Sequence, residues 1–278
     1  MLLFLSALVV STILTLIFYG PTIRMLSGAN CTKPNFRKHY VVNSFGILLP
    51  VVLIASGAVF SLQFIARTGA RFGPEGFSLL LSLVTATAFV GFIDDIIGSR
   101  IIGGLRGHFS QIRFGIMTTG TLKAVIGLSI SIIIAAAVSG TALLFLLNAA
   151  VITLSMNAAN LFDLRPGRVV KVFTIAAAAT FAASAAAAFW SLWGFIIPPV
   201  AGLLWGDLKE QSMMGDAGAN ALGAILGLSF VINLSWVANL VILGVLVALH
   251  LVSERYSISA FIERTPVLRQ LDELGWKR

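Results

Sequence analysis

Apolar runs long enough to cross a lipid bilayer follow one another along nearly the whole chain. Apolar residues make up 58% of the 278 positions and charged residues only 11%, whereas a soluble domain averages about 25% charged residues. A run of about 18 apolar residues spans a hydrocarbon core roughly 30 Å thick as a helix. The sequence therefore predicts an all-α, polytopic membrane protein with no separate soluble domain.

Gly, Pro and charged residues divide the apolar sequence into nine candidate transmembrane helices. The count treats Ser139-Gly140 and Trp190-Ser191 as tight turns, because the runs beside them have almost no polar separator. The first run has no basic residue before it and no cleavage pattern, so we expect a retained helix rather than a signal peptide. We expect them to form a single transmembrane domain over 1–253, followed by a cytoplasmic or interfacial tail over 254–278. The candidates cover 2–20, 44–66, 77–93, 121–139, 141–158, 169–189, 191–206, 217–233 and 235–253.

The distribution of charge predicts how these helices are oriented. With nine spans and the amino terminus outside, only Arg67 and Arg71 of the 19 Lys and Arg fall on the outer side. Every acidic residue except Glu75 lies on the cytoplasmic side. The net charge of +8 then reflects orientation and attraction to anionic lipids, so nucleic-acid binding is not needed to explain it. We expect a multi-pass protein of the cell membrane whose reactive residues and carboxyl terminus face the cytoplasm.

Several of the few acidic residues stand where predicted helices leave the membrane. Asp94 and Asp95 close the third helix, and their side chains point about 100° apart. One carboxylate can therefore act on a metal or phosphate while the other pairs with a neighbouring cation. Asp216 opens the eighth helix, where free amides favour a phosphate and an Asp can bring Mg²⁺ to it. The simpler alternatives are solvated interfacial acids for the pair and a plain N-cap for Asp216.

A second polar group follows the fifth predicted helix. Asn157 and Asn160 are three residues apart and share a helix face, so their amides can bind one ligand together. Asp163 follows, and Pro166 and Gly167 end the helix. The loop that results carries Arg165 and Arg168 to the cytoplasmic side as candidate substrate ligands. Helix capping by Asn and the positive-inside preference for Arg are the alternative explanations.

Lys123 is the remaining candidate ligand, about one turn inside the fourth predicted helix. From there its amine can reach a phosphate or extend to the membrane interface. A basic, Gly-rich loop from Gly104 to Phe109 precedes this helix. His108 in that loop, like His39 and His250, is isolated in the sequence, so we do not expect a zinc site.

In this order, three motifs resemble those of the polyprenyl-phosphate N-acetylhexosamine-1-phosphate transferase superfamily, which includes bacterial phospho-N-acetylmuramoyl-pentapeptide transferase. They are an Asp-Asp pair at a helix end, Asn-x-x-Asn-x-x-Asp and Met-Gly-Asp-x-Gly. The resemblance covers most of the chain. The matching residues are Asp94 and Asp95, then Asn157, Asn160 and Asp163, then Met214, Gly215, Asp216 and Gly218.

The resemblance implies transfer of a sugar 1-phosphate from a UDP-sugar to a polyprenyl phosphate in cell-envelope glycan synthesis, with release of UMP. The sugar would be an N-acetylhexosamine. It also implies that Asp216 binds Mg²⁺ and that Asp94 and Asp95 act on the lipid phosphate. The segment from Asn157 to Asp163 would lie near the nucleotide and the metal, and a homodimer is expected by analogy.

The chain also departs from the family pattern. Gly98 stands where muramoyl-pentapeptide transferases have a basic residue, and Pro166 stands where they have a second Asp. These differences favour a divergent member that uses another UDP-N-acetylhexosamine, with Arg165 and Arg168 replacing lost polar contacts. An inactive relative that acts as a membrane scaffold and a membrane transporter are the alternatives. Apolar positions in the tail predict that it lies along the membrane surface.

Overall fold

The computed structural model describes residues 2–68, 75–98, 115–184 and 190–276. Within these ranges nearly all residues are helical, and seven helices are long and apolar enough to cross a membrane. The prediction of an all-α polytopic membrane protein is confirmed at this level. Arg71, and the basic loop that contains His108, lie outside the described residues.

In the described part of the chain, nine helices follow the nine predicted segments in order. The turn at Ser139-Gly140 is confirmed, because α4 ends at Val138 and α5 begins at Ala142. The turn predicted at Trp190-Ser191 is wrong, since the previous helix ends at Ala183 and Trp190 already begins the next one. The helices are α1 Leu2–Gly28, α2 Leu48–Thr68, α3 Glu75–Ile97, α4 Thr119–Val138, α5 Ala142–Phe162, α6 Arg168–Ala183, α7 Trp190–Leu208, α8 Gly215–Asn233 and α9 Trp236–Ser253.

Helix α8 is the most deeply buried long helix and packs against α3, α5 and α6. Its glycines allow this packing. A Cβ at Gly223 would lie 2.4 Å from the Ser155 carbonyl oxygen of α5, and one at Gly91 of α3 would lie 2.3 Å from the Asp216 carbonyl oxygen. Close approach of helix backbones at small residues is typical of membrane proteins. The ends of α3, α5 and α8 are therefore fixed relative to one another.

A short β-hairpin between α1 and α2 was not expected from the sequence. Its strands, β1 Thr32–Pro34 and β2 Tyr40–Val42, pair antiparallel. The Met213 amide donates to the Val42 carbonyl at 2.7 Å, and the Gly46 amide donates to the Met214 carbonyl at 2.9 Å. The hairpin is thus tied to the segment that leads into α8.

The tail forms two short helices, α10 Ile258–Arg264 and α11 Pro266–Glu273. Ser257 caps α10 by accepting a hydrogen bond from the Ala260 amide, and Pro266 occupies the first turn of α11. Large apolar side chains remain exposed here, including Phe261 at 64% and Val267 at 66%. This exposure is consistent with a tail that lies at a membrane surface.

Candidate functional site

A cavity of about 450 Å³ lies at the end of the helices where α3 and α5 finish and α8 begins. Its walls come from the β-hairpin, the end of α3, the loop between α5 and α6, and the segment between α7 and α8. All four aspartates predicted from the sequence, Asp94, Asp95, Asp163 and Asp216, line it. They come from three segments that are far apart in the sequence, and the fold brings them to one place.

The carboxylates of Asp94 and Asp95 take different partners at the end of α3. The Asp95 carboxylate, 9% exposed as a residue, accepts a hydrogen bond from the Ala217 amide at 3.2 Å. Its other oxygen is 3.8 Å from Lys33 Nζ on the hairpin. The Asp94 carboxyl group is within hydrogen-bonding reach of the Asp216 side chain. Asp95 therefore holds the start of α8, whereas Asp94 faces the Asp216 side chain of α8.

Asp216 lies in the first turn of α8 and is not its N-cap. Met214 occupies the capping position without a side-chain hydrogen bond. The Asp216 carboxylate instead accepts a hydrogen bond from Lys123 Nζ at 2.6 Å. Only 14% of the Lys123 side chain is exposed, so its amine is held in the protein rather than extended into solvent. The plain-capping explanation for Asp216 and the interface explanation for Lys123 are both wrong in this structure.

Gly215 makes room for this arrangement immediately before Asp216. Its φ is +65°, a backbone conformation that side-chain-bearing residues rarely adopt. A Cβ at this position would also lie 2.3 Å from Asp95 Oδ2. The glycine of the Met-Gly-Asp motif is therefore required by both the turn and the contact.

Of the three residues of the Asn-Asp motif, Asp163 lines the cavity and the two asparagines do not. Asn160 Nδ2 donates to Asn220 Oδ1 of α8 at 2.5 Å, and the remaining amide atoms of both side chains are buried without a partner among the described residues. Asp163 follows α5 directly and lines the cavity. Asn157 is exposed on α5 and is not part of the cavity lining.

The charge environment changes the titration of Asp163, which lies just beyond the end of α5. Desolvation raises its pKa well above the ordinary value, and the negative charges of Asp207, Asp216 and Asp95 add to the effect. Lys123 acts in the opposite direction but does not compensate. Among the described residues, the acidic side chains that line the cavity outnumber the basic ones, which favours a bound cation or a retained proton.

Sequence reasoning missed two acidic residues of the cavity, Asp207 and Glu210. Asp207 Oδ2 accepts a hydrogen bond from the Gly167 amide at 2.6 Å, in the loop next to Pro166. Glu210 holds the hairpin, because Asn35 Nδ2 donates to it at 3.0 Å and Arg37 lies 3.0 Å away. Both acids follow a predicted helix end, the signal that identified Asp94 and Asp95, and could have been found by it.

The two arginines of the loop between α5 and α6 have separate positions. Arg165 lines the cavity, donates to Glu263 of α10 at 2.5 Å and lies 5.4 Å from the centre of the Phe36 ring. Arg168 lies outside the cavity lining. Its guanidinium is buried against Asp272 of α11, and its side-chain hydrogen bonds within the described residues go to the tail.

The residues present suit Mg²⁺ better than a metal held by protein ligands alone. No group of three or more His, Cys, Asp or Glu within the described ranges is spaced to enclose a metal ion. Mg²⁺ usually keeps several waters and binds one or two carboxylates together with substrate phosphates. Asp216 and Asp94, whose carboxyl groups approach each other closely, supply such a pair and gain from a cation between them.

No model of a known protein family matches the chain, and no curated protein matches it significantly. A function for the cavity is therefore inferred from its geometry and from the three motifs. The superfamily resemblance stays a prediction.

Proposed function

We propose that the protein is a Mg²⁺-dependent phosphoglycosyltransferase that transfers a sugar 1-phosphate from a UDP-sugar to a polyprenyl phosphate. The single observation that carries this proposal is the convergence of Asp94, Asp95, Asp163 and Asp216 in one cavity, with Lys123 on Asp216. Carboxylates beside a Lys at the start of a helix can hold a metal ion against a diphosphate and balance its charge. An N-acetylhexosamine as the sugar follows from the motif resemblance.

In the proposed reaction, an oxygen of the lipid phosphate attacks the phosphorus that bears the sugar. The new P–O bond joins the two phosphates of the product, and the bond from that phosphorus to the oxygen bridging to UMP breaks. UMP leaves with the bonding electron pair. When bound, Mg²⁺ would lower the repulsion between the reacting anions.

The residues of the cavity have distinct roles in this proposal. Asp216, with Asp94 beside it, would hold the metal, and Lys123 would neutralise charge on the diphosphate. Asp94 and Asp95 would orient the lipid phosphate, Asp95 doing so while it fixes the start of α8. Asp163 and Arg165 would contact the UDP-sugar from the loop between α5 and α6.

The membrane arrangement belongs to the same proposal. Nine spans with the amino terminus outside would place the cavity at the cytoplasmic face of the cell membrane, in agreement with the distribution of Lys and Arg. The helices α6, of 16 residues, and α7, whose apolar part Leu192–Leu208 is also short, would then be the two shortest spans. A transporter commonly binds substrate near the bilayer midplane, whereas this cavity lies at helix ends. Dimerisation rests on the resemblance alone.

The experiment is UMP release by the purified protein in detergent with undecaprenyl phosphate, Mg²⁺ and a panel of UDP-N-acetylhexosamines. We expect release with one donor, loss of release with EDTA, and loss in Asp216→Asn. Glu273→Gln, a change at an exposed tail residue, is the matched control for removal of a carboxylate. No release with any donor by folded protein would contradict the proposal and favour the inactive scaffold.

A further inference from the structure

The tail folds back onto the beginning of α6 through a buried ion pair. Arg168 Nε and Nη2 donate to the two carboxylate oxygens of Asp272 at 2.7 and 2.8 Å, and Nη1 donates to Ser259 Oγ at 2.8 Å. The two charged side chains are only 3% and 6% exposed. Lys171 Nζ adds a hydrogen bond to the Asp272 carbonyl at 2.5 Å. A bidentate pair of this kind fixes orientation as well as distance.

The end of the tail reaches the cavity wall itself. Trp276 Nε1 donates to the Pro166 carbonyl at 3.1 Å. The Trp276 ring also packs against Phe36 of the hairpin, with ring centroids 5.4 Å apart. Pro166 and Phe36 both line the cavity. The tail thus contacts two of the cavity's walls.

The loop that the tail contacts is short and is held from two sides. Four consecutive residues, Asp163 to Pro166, line the cavity, and Gly167 follows with φ +68°. On the α7 side, the Gly167 amide donates to Asp207. On the tail side, the Arg168 pair and Trp276 hold the end of the same loop. The end of the loop that carries Asp163 and Arg165 is therefore in contact with a tail residue 104 positions after Arg168.

We propose that the tail positions the loop Asp163–Gly167 for binding of the UDP-sugar, and that Arg168 and Asp272 are positioning residues. The kinetic part of this inference rests on the proposed function. Loss of one partner leaves a buried charge uncompensated, so the loop spends less time in the conformation that binds the donor. The apparent affinity for a ligand falls in proportion to the population of the competent state.

Asp272→Asn tests this inference, with Glu273→Gln as its neighbour control. Both changes replace a carboxylate by an amide in α11, but Glu273 is 55% exposed and lies 3.9 Å from Arg269. We expect KM for the UDP-sugar to rise about tenfold in Asp272→Asn while kcat stays within about twofold. The control keeps both constants. A lower kcat with an unchanged KM would indicate only a loss of folded enzyme and would overturn the inference.

Two milder variants apply if Asp272→Asn does not fold. Arg168→Lys keeps the charge but gives up the bidentate geometry, and Trp276→Phe keeps the ring but removes the hydrogen bond to Pro166. We expect each to raise KM for the donor by about threefold to tenfold with kcat preserved. Unchanged KM values in both variants would overturn the inference.

Hydrogen exchange separates this inference from the proposed reaction. The amides of residues 163–165 and 167 should exchange faster in Asp272→Asn than in the parent or in Glu273→Gln, without faster exchange in α8. If the parent releases no UMP with any donor, the proposed function fails, yet the exchange comparison still tests whether the tail holds the loop. Equal exchange in all three proteins, or faster exchange with an unchanged KM in an active enzyme, would overturn the positioning role.

Discussion

The two sides of the cavity hold their carboxylates in different ways. On the side of α3 and α8, Asp216 is 2.6 Å from Lys123 Nζ and Asp95 is 3.8 Å from Lys33 Nζ. On the opposite side, Asp163 follows α5 and Asp207 lies in the last turn of α7. Within the described residues neither has an ion-pair partner, although the Gly167 amide donates to Asp207.

This difference teaches that one cavity can combine carboxylates that face amines with carboxylates that have no ion-pair partner among the described residues. The α3–α8 side has closely packed backbones, and Asp95 and Asp216 face amines, so these carboxylates are held in place beside the cavity. The Asp163–Asp207 side depends on a loop and on neutralisation by protons or a ligand. We therefore expect the two sides to respond differently to substitution, to pH and to Mg²⁺.

The largest expected effect is that of Asp216→Asn. Removing one preorganised electrostatic group from an active site costs about 10²–10³ in turnover, so UMP release should fall by that factor. In Asp207→Asn, UMP release should fall less, by about tenfold or under, because the Asp207 carboxylate accepts a hydrogen bond from the Gly167 backbone amide on the other side of the cavity. Initial rates at saturating donor are the measurement. Equal losses would mean that both sides act on the transferred group, and the comparison would fail.

Lys123→Met should give the next largest effect, because it leaves Asp216 without its cation. We expect turnover to fall about tenfold to a hundredfold, as charge on the diphosphate loses a neutralising group. Mg²⁺ should bind more tightly, since the freed carboxylate no longer shares its charge with an amine. A Mg²⁺ titration of UMP release measures both quantities. If Lys123→Met needs a higher Mg²⁺ concentration than the parent for half-maximal UMP release, Asp216 does not bind the metal.

Much of the α3–α8 side could be predicted from the sequence. Asp94, Asp95 and Asp216 stand at the ends of apolar runs in a chain with few charges, and the cost of such residues near hydrocarbon points to function. The nine apolar segments also located α1 to α9. Pattern alone misplaced the boundary before Trp190, because the Ala-rich stretch has no Gly or Pro and only the single Ser184 to mark the end at Ala183.

Other parts of the cavity depend on contacts that local sequence does not encode. The short hairpin that carries Lys33 is joined to the segment before α8 by a pairing of Val42 with Ser212, 170 positions later in the chain. Arg168 was predicted to bind substrate because it lies in the cytoplasmic loop after the Asn-Asp motif, where it would replace lost polar contacts. Only the fold shows that Asp272 of the tail reaches it, and that Asp207 lies beside Pro166.

Asp163 provides a test based on pH. Its raised pKa means that the folded state binds a proton more readily than the unfolded state. The stability from this group is therefore fully present below the unfolded pKa of about 4 and is lost as pH rises through the folded pKa. We expect the melting temperature of the parent in detergent to fall with pH above about 4, and that of Asp163→Asn to fall less.

The control for the Asp163 test is Glu273→Gln, which removes an exposed carboxylate and should keep the parent's dependence on pH. Mg²⁺ should reduce the difference between parent and Asp163→Asn if a cation in the cavity favours the ionised carboxylate. If the melting temperatures of the parent and Asp163→Asn change in parallel across the whole pH range, the pKa of Asp163 is not raised by folding. The two sides of the cavity would then be electrostatically alike.

The smallest expected effects separate the two asparagines of one motif. Asn160→Ala leaves the side-chain oxygen of Asn220, on α8, without its hydrogen-bond donor. This loss costs about 1 kcal/mol or more of stability. Asn157→Ala changes an exposed side chain outside the cavity, where substitutions usually remain within about 0.5 kcal/mol. Denaturation in mixed detergent measures both, and UMP release should follow the same order. A larger loss of activity in Asn157→Ala would place a substrate on the outer face of α5, beyond the cavity that the aspartates define.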